Sequence, residues 1–124
     1  RCPCGHPTLV GMIAPFISVA ELDRMRPHAA TGTSAPVVVD SRWYLDGRSG
    51  ADAYANGHLP GAVFVDLDTV LAAPPSAAAG RHPLPEPEVF ARGLEAAGIG
   101  DDDTVVVYDD AGGVIAARLV WMLR

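Results

Sequence analysis

The residues with the clearest chemical potential lie near the C-terminal end of the sequence. Val105–Tyr108 is an uninterrupted apolar run with β-branched residues, and Asp109 follows it directly. A loop with two glycines comes next, and from Val114 onward the pattern is helical. In α/β domains, a loop of this kind and the helix N-terminus after it bind anions through backbone N–H groups. Asp109 is then a catalytic acid, a phosphate acceptor, or a carboxylate that fills the anion site itself.

Two other strand patterns also end in acidic residues. One ends at Asp40, with Arg42 two residues later, and the other ends at Asp66, which Asp68 follows closely. The carboxyl ends of parallel strands share one edge of a sheet, so these acids are expected near one crevice. For Asp40 a structural role is favoured over a catalytic one, as a cap or as the ion-pair partner of Arg42 or Arg118.

The absence of lysine argues against two functions in which an aspartate accepts a phosphoryl group. Asp66–Thr69 matches the short nucleophile motif of haloacid-dehalogenase-like phosphatases, and Asp109 after a strand is similar to the phosphoacceptor of response-regulator receivers. Both families need a lysine to hold phosphate, but all nine basic residues of this chain are arginine. A phosphate-binding or Schiff-base lysine is therefore excluded within this sequence.

The histidines and cysteines favour structural over catalytic roles. Cys2 and Cys4 lie beside His6 in the N-terminal tail and resemble half of a zinc site, but no second pair of ligands follows. We therefore predict no metal and no cofactor. His58 lies in a Gly-His-Leu-Pro-Gly turn, where a hydrogen bond that fixes the turn is a commoner role than general base.

The elements that would position these residues alternate between strand and helix. Ser18 and Glu21 have the spacing of a capping box that begins a helix. The other patterns predict strands at 37–42, 62–66 and 105–108 and helices at 51–56, 87–98 and 114–124, with an extended proline-rich excursion at 72–87. This order indicates an α/β fold with a parallel sheet flanked by helices. We expect a tail at 1–15, one domain at 16–124, and a further strand-helix unit after Arg124 to cover the last helix.

Composition excludes several classes of partner. The net charge is −6 and no basic stripe is present, which argues against binding to nucleic acid. The sequence has no long apolar run and no signal-peptide pattern, so we predict no membrane segment and a cytoplasmic location.

Several motifs in fixed order resemble the rhodanese family of sulfurtransferases. They are Val39–Arg42, Tyr54–Asp66 with its Gly-His-x-Pro-Gly-Ala turn, Gly80–Pro85 and Gly98–Asp110. The Arg-His-Pro-Leu-Pro insert, the Tyr-Asp-Asp ending and the Ala-Ala-Arg-x-x-Trp helix are more similar to the N-terminal, noncatalytic half of tandem-domain thiosulfate or 3-mercaptopyruvate sulfurtransferases. A rhodanese-like fold is what this resemblance implies.

The resemblance also implies a mechanism whose nucleophile is missing from this chain. In the family, a cysteine thiolate at the first loop position takes the outer sulfur of an anionic donor, such as thiosulfate, as a persulfide and passes it to a thiophile. Asp109 occupies that position here, and we expect its carboxylate to accept the loop N–H bonds instead. The degenerate loop comprises Asp109, Asp110, Ala111, Gly112, Gly113 and Val114, and no residue is predicted to be catalytic.

The partner implied is a C-terminal catalytic rhodanese domain of the same protein, with a small anionic sulfur donor bound in the intact enzyme. Candidates for structural or cleft-lining roles are Asp40, Arg42, Trp43, His58 and Arg118. The alternative from a different class is a single noncatalytic rhodanese-like domain that acts as a binding or regulatory module.

Overall fold

A computed structural model describes residues 14–26 and 35–124, which fall in two compact units. In the first, helix α1 (Val19–Met25) begins at a capping box, because the Ser18 hydroxyl accepts the Glu21 N–H and Glu21 accepts the Ser18 N–H at 2.6 Å. The predicted helix start is therefore confirmed. The Cys2/Cys4 tail and most of the loop before the first strand lie outside the described residues.

The second unit contains a parallel sheet of three strands in the order β2-β1-β3. The strands are β1 (Val37–Asp40), β2 (Val63–Phe64) and β3 (Val105–Tyr108). Asp40, the last residue of the central strand, is in register with Phe64 on one side and Tyr108 on the other. The carboxyl ends of the three strands therefore meet at one edge of the sheet, as the sequence predicts.

Helices connect and flank these strands, so the predicted α/β class is confirmed. They are α2 (Gly50–Asn56), a π-helix (Leu67–Leu71), α3 (Pro87–Ala96) and α4 (Val114–Met122). The core combines β-branched residues with leucines of the π-helix and of α4; its buried members are Val39, Val65, Leu67, Leu71, Ile99 and Leu119. Burial of each such side chain contributes about 1.5–3 kcal/mol.

Two predicted strands are shorter than expected. The first ends at Asp40 and not at residue 42, because the Arg42 N–H bonds to the Asp40 side chain and so leaves the ladder. The second covers only Val63–Phe64, because Asp66 caps the π-helix through the N–H and hydroxyl of Thr69. Asp66 is therefore engaged as a helix cap.

The close approach of α2 to the end of β1 gives the first prediction. A Cβ at Gly50 would overlap the carbonyl oxygen of Arg42, whereas a Cβ at Gly57, at the other end of α2, would meet open space. Gly50→Ala should lower the free energy of unfolding by about 1–3 kcal/mol, since the backbone at Arg42, just after β1, cannot move aside cheaply. Gly57→Ala, at an extended φ of 165°, should change it by less than about 0.5 kcal/mol. Urea unfolding of both variants checks this, and equal effects would contradict the packing argument.

Candidate functional site at the carboxyl edge of the sheet

The first feature of this edge is a carboxylate that solvent does not reach. The Asp40 side chain is 0% exposed and accepts hydrogen bonds from the Arg42 N–H (3.0 Å), the Arg42 guanidinium (2.7 Å at Nη2) and the Tyr108 hydroxyl (2.8 Å). Burial alone would raise the pKa of Asp40, but the bonds from Arg42 and Tyr108 outweigh it and hold the pKa below its ordinary value. Asp40 is therefore an ionised structural group.

The same two partners tie the Gly-His-Leu-Pro-Gly turn to the sheet. Arg42 Nη2 donates to the Gly57 carbonyl at 2.7 Å, and the Leu59 N–H donates to the Tyr108 hydroxyl at 3.1 Å. His58 Nδ1 lies 2.8 Å from the Tyr54 carbonyl, and its ring stacks on the Tyr54 ring at 3.8 Å. His58 thus links the turn to α2.

The loop after β3 closes around the side chain of Asp109. Its Oδ1 accepts the N–H groups of Ala111 (2.9 Å) and Gly113 (2.8 Å), and its Oδ2 accepts those of Ile115 (2.8 Å) and Ala116 (2.9 Å). The loop can turn back in this way because Gly112 and Gly113 have φ of 73° and 89°, which other residues rarely adopt. Four backbone N–H groups that could bind an external anion are therefore engaged by this one carboxylate.

This cradle also determines the ionisation of Asp109. Partial burial opposes the charge, but the backbone N–H groups, with that of Ala116 first among them, outweigh burial and lower the pKa of Asp109. The N-terminal end of α4 favours negative charge for the same reason. Asp109 is consequently anionic at neutral pH and suits neither a general acid nor a vacant anion site.

The loop after β1 is tied to acids on both neighbouring connections. The Trp43 indole N–H donates to Asp68 at 3.0 Å, and the Tyr44 hydroxyl donates to Asp110 at 2.7 Å. His82 packs edge-on against Trp43, with ring centroids 5.0 Å apart, and its Nε2 lies 3.7 Å from Asp68. Trp43 also lines an open cleft of about 500 Å³ whose walls include Tyr44, Arg48, Phe64, Asp66, Asp68 and Arg81.

Arg118 does not make the ion pair with Asp40 that the sequence suggested. Its guanidinium donates to the carbonyls of Leu71 (2.8 Å), His82 (2.9 Å) and Pro83 (3.2 Å). The Asp40 pair with Arg42 is present, since those residues are only two apart and both face the same strand end. Val114, the last residue of the degenerate loop, is 70% exposed.

Sequence reasoning placed Asp68 at this edge but did not assign Tyr108 or His82 to it. Tyr108 could have been found from its place at the end of a buried strand, since a strand-terminal tyrosine often needs a polar partner. The contacts of Asp68 and His82 depend on the path of the 72–87 excursion, which local sequence does not fix.

Within residues 14–26 and 35–124, no group of three or more His, Cys, Asp or Glu side chains could hold a metal ion. Every helix in that part of the chain is too short or too polar to cross a bilayer.

Removal of the Tyr108 hydroxyl tests the network around Asp40. Tyr108→Phe removes one of the hydrogen bonds to the buried Asp40 carboxylate and the acceptor of the Leu59 N–H, so the free energy of unfolding should fall by about 1–3 kcal/mol. Tyr44→Phe removes a hydroxyl that is bonded to exposed Asp110 and should cost less than about 0.5 kcal/mol. Chemical denaturation of both variants measures the two losses in unfolding free energy. A loss for Tyr108→Phe no larger than for Tyr44→Phe would show that the network around Asp40 does not stabilise the fold.

The lowered pKa of Asp109 predicts a pH-dependent contribution to stability. Because the folded pKa is below the unfolded one, the contribution is complete above the unfolded value of about 4 and is lost as pH falls through the folded pKa. Asp109→Asn should therefore cost about 1–2 kcal/mol at pH 7 and progressively less below about pH 4. Thermal or urea unfolding across pH checks this, with Asp110→Asn as the exposed neighbour; a pH-independent difference would contradict it.

Comparison with known proteins identifies the fold family. The model of the rhodanese-like domain family matches residues 20–124. The chain is 46% identical over 90 residues to a Pseudomonas aeruginosa protein named "Probable 3-mercaptopyruvate sulfurtransferase", with 71% of this chain and 32% of that protein covered. It is 39% identical over 99 residues to thiosulfate/3-mercaptopyruvate sulfurtransferase 2 of Arabidopsis thaliana, with 78% of this chain and 28% of that protein covered.

A solved structure gives the same result. The 3-mercaptopyruvate sulfurtransferase from Leishmania major is 34% identical, with a TM-score of 0.65, over 71% of this chain and 25% of that chain. The chain thus spans about a third or less of the length of the relatives it matches. The family match agrees with the parallel sheet, whose three strand ends lie at one edge, and with the turn that Arg42 and Tyr108 tether. The chain belongs to the rhodanese-like domain family.

Proposed function

We propose that this chain is the N-terminal, noncatalytic rhodanese domain of a tandem-domain sulfurtransferase. The single observation that carries the proposal is Asp109, which stands where a persulfide-forming cysteine would be and engages four backbone N–H groups. Relatives named as sulfurtransferases are about two to three times as long as this chain, which leaves room in such proteins for a second domain. In this proposal, the cysteine lies in that second domain.

The chemistry of sulfur transfer explains why Asp109 would be inactive. In the proposed enzyme, a thiolate attacks the outer sulfur of the donor, the bond to the leaving group breaks, and the sulfur remains on the cysteine as a persulfide until a thiophile removes it. With thiosulfate as donor, sulfite leaves. A carboxylate does not form a persulfide, and its negative charge repels an anionic donor at short range. The cradle that would stabilise a thiolate instead stabilises Asp109.

The role left to this domain is structural. Trp43 and Tyr44 are held in place by Asp68 and Asp110, so the edge of the sheet presents a fixed surface. We infer that this edge faces the catalytic domain and forms one wall of the cleft in which a small anionic donor binds. Arg42 and His58 contribute indirectly, since they fix the backbone of that edge.

A sulfur-transfer assay tests whether this chain has the activity alone. Incubated with thiosulfate and cyanide, it should give no thiocyanate above the rate without protein, because no thiol lies in the cradle. Cys2→Ser/Cys4→Ser should behave identically, which excludes the tail thiols as a source of turnover. Thiocyanate production by the Cys2→Ser/Cys4→Ser protein would overturn the proposal. A native reading frame with no second rhodanese block ending in Tyr-Cys would instead favour the single binding module.

A cysteine placed in the cradle tests whether the cradle favours a thiolate. In the Cys2→Ser/Cys4→Ser background, Asp109→Cys should have a thiol pKa at least about one unit below that of Asp110→Cys, because backbone N–H groups and the start of α4 stabilise the anion. The pH dependence of alkylation by iodoacetamide measures both values. Equal pKa values would show that the cradle does not act as proposed.

A further inference from the structure

The Arg118 side chain makes three hydrogen bonds to the backbone of other parts of the fold. It lies in the middle of α4 and is partly buried, and within the described residues no carboxylate forms an ion pair with it. Its three acceptors are backbone carbonyls at the two ends of one segment: Leu71 at the end of the π-helix, and His82 with Pro83 after the excursion. Arginine suits this arrangement because its planar group directs several donors in fixed directions.

The segment between those carbonyls is a closed excursion. Ser76 and Gly80 exchange backbone hydrogen bonds at 3.0 and 2.8 Å, and the Ala73 N–H donates to the Pro83 carbonyl at 2.9 Å. Arg118 bonds the base of this excursion on both sides, with Nε on Leu71 and Nη2 on His82 and Pro83. The path of the backbone at His82 is therefore fixed from α4.

The direction of the His82 side chain follows from that backbone. Pro83 restricts the conformation of the residue before it, so a bond to the His82 carbonyl constrains the orientation of the whole residue. Held in this way, the imidazole lies edge-on to Trp43, with ring centroids 5.0 Å apart. It also lies beside Asp68, and Asp68 accepts a hydrogen bond from the Trp43 indole N–H. These three side chains, which we call the Trp43 cluster, come from the loop after β1, the π-helix and the excursion.

We propose that Arg118 is a positioning residue that fixes the Trp43 cluster at the carboxyl edge of the sheet. It acts through the His82 and Pro83 carbonyls and touches none of the three side chains in these contacts. The bearing of this role on sulfur transfer rests on the proposed function, in which the edge walls the substrate cleft. The positioning itself concerns only contacts inside this chain.

Proton NMR of the His82 ring tests the positioning directly. The ring current of Trp43 changes the chemical shifts of the His82 ring protons. These signals are assigned by their loss in His82→Asn. Trp43→Leu gives their chemical shifts when the indole is absent. In Arg118→Met, the His82 signals should move most of the way to the Trp43→Leu positions while the fold is retained. Arg118→Lys should give an intermediate shift, since a single ammonium cannot reproduce the fixed fork of donors.

A matched control separates positioning from general stability. Arg92→Met removes an exposed arginine from α3 and should leave the His82 signals unchanged. A lower melting temperature for Arg118→Met with His82 signals at their original positions would show a purely structural role and overturn the proposal. If Arg118→Met does not fold, Arg118→Lys is measured instead. His82 signals at their original positions in Arg118→Lys would then overturn the proposal. Because no turnover is measured, this outcome is independent of whether the chain is active in the sulfur-transfer assay.

Discussion

One buried charge organises this domain. Asp40 ends the central strand with its carboxylate removed from solvent, and an ion in that position is costly unless it is paired and hydrogen-bonded. Arg42 and Tyr108 satisfy it, and each has a second bond to the turn after α2, at Gly57 and Leu59. The requirements of a single carboxylate thus join the central strand, its neighbour β3 and the turn that leads into β2.

A second carboxylate at the same edge is satisfied in a different way. Asp40 relies mainly on side chains, whereas Asp109 is bonded entirely by backbone N–H groups of its own loop and of α4. The two solutions have different consequences. The first holds elements of the fold together, and the second fills the anion cradle of its own loop with a carboxylate.

Individual residues show how far sequence reasoning reaches. The β-branched runs predicted all three strands, and Ser18 with Glu21 predicted the start of α1, because these signals act within a few residues of each other. The π-helix at Leu67–Leu71 was not predicted, since its apolar residues read equally well as the end of a strand or a loop. The three carbonyls that Arg118 binds were not predicted, because acceptors between 35 and 47 residues away in sequence leave no local pattern.

The sequence by itself determined the fold class and the family, since both depend on residue types at short fixed spacings. Only the tertiary structure decided how charges and donors are paired. Asp40 could have paired with Arg42 or Arg118, and the excursion before His82 could have followed other paths over the surface. Those choices depend on which groups meet when strands and helices pack, because a buried ion takes whichever partner the packed backbone places within hydrogen-bond reach.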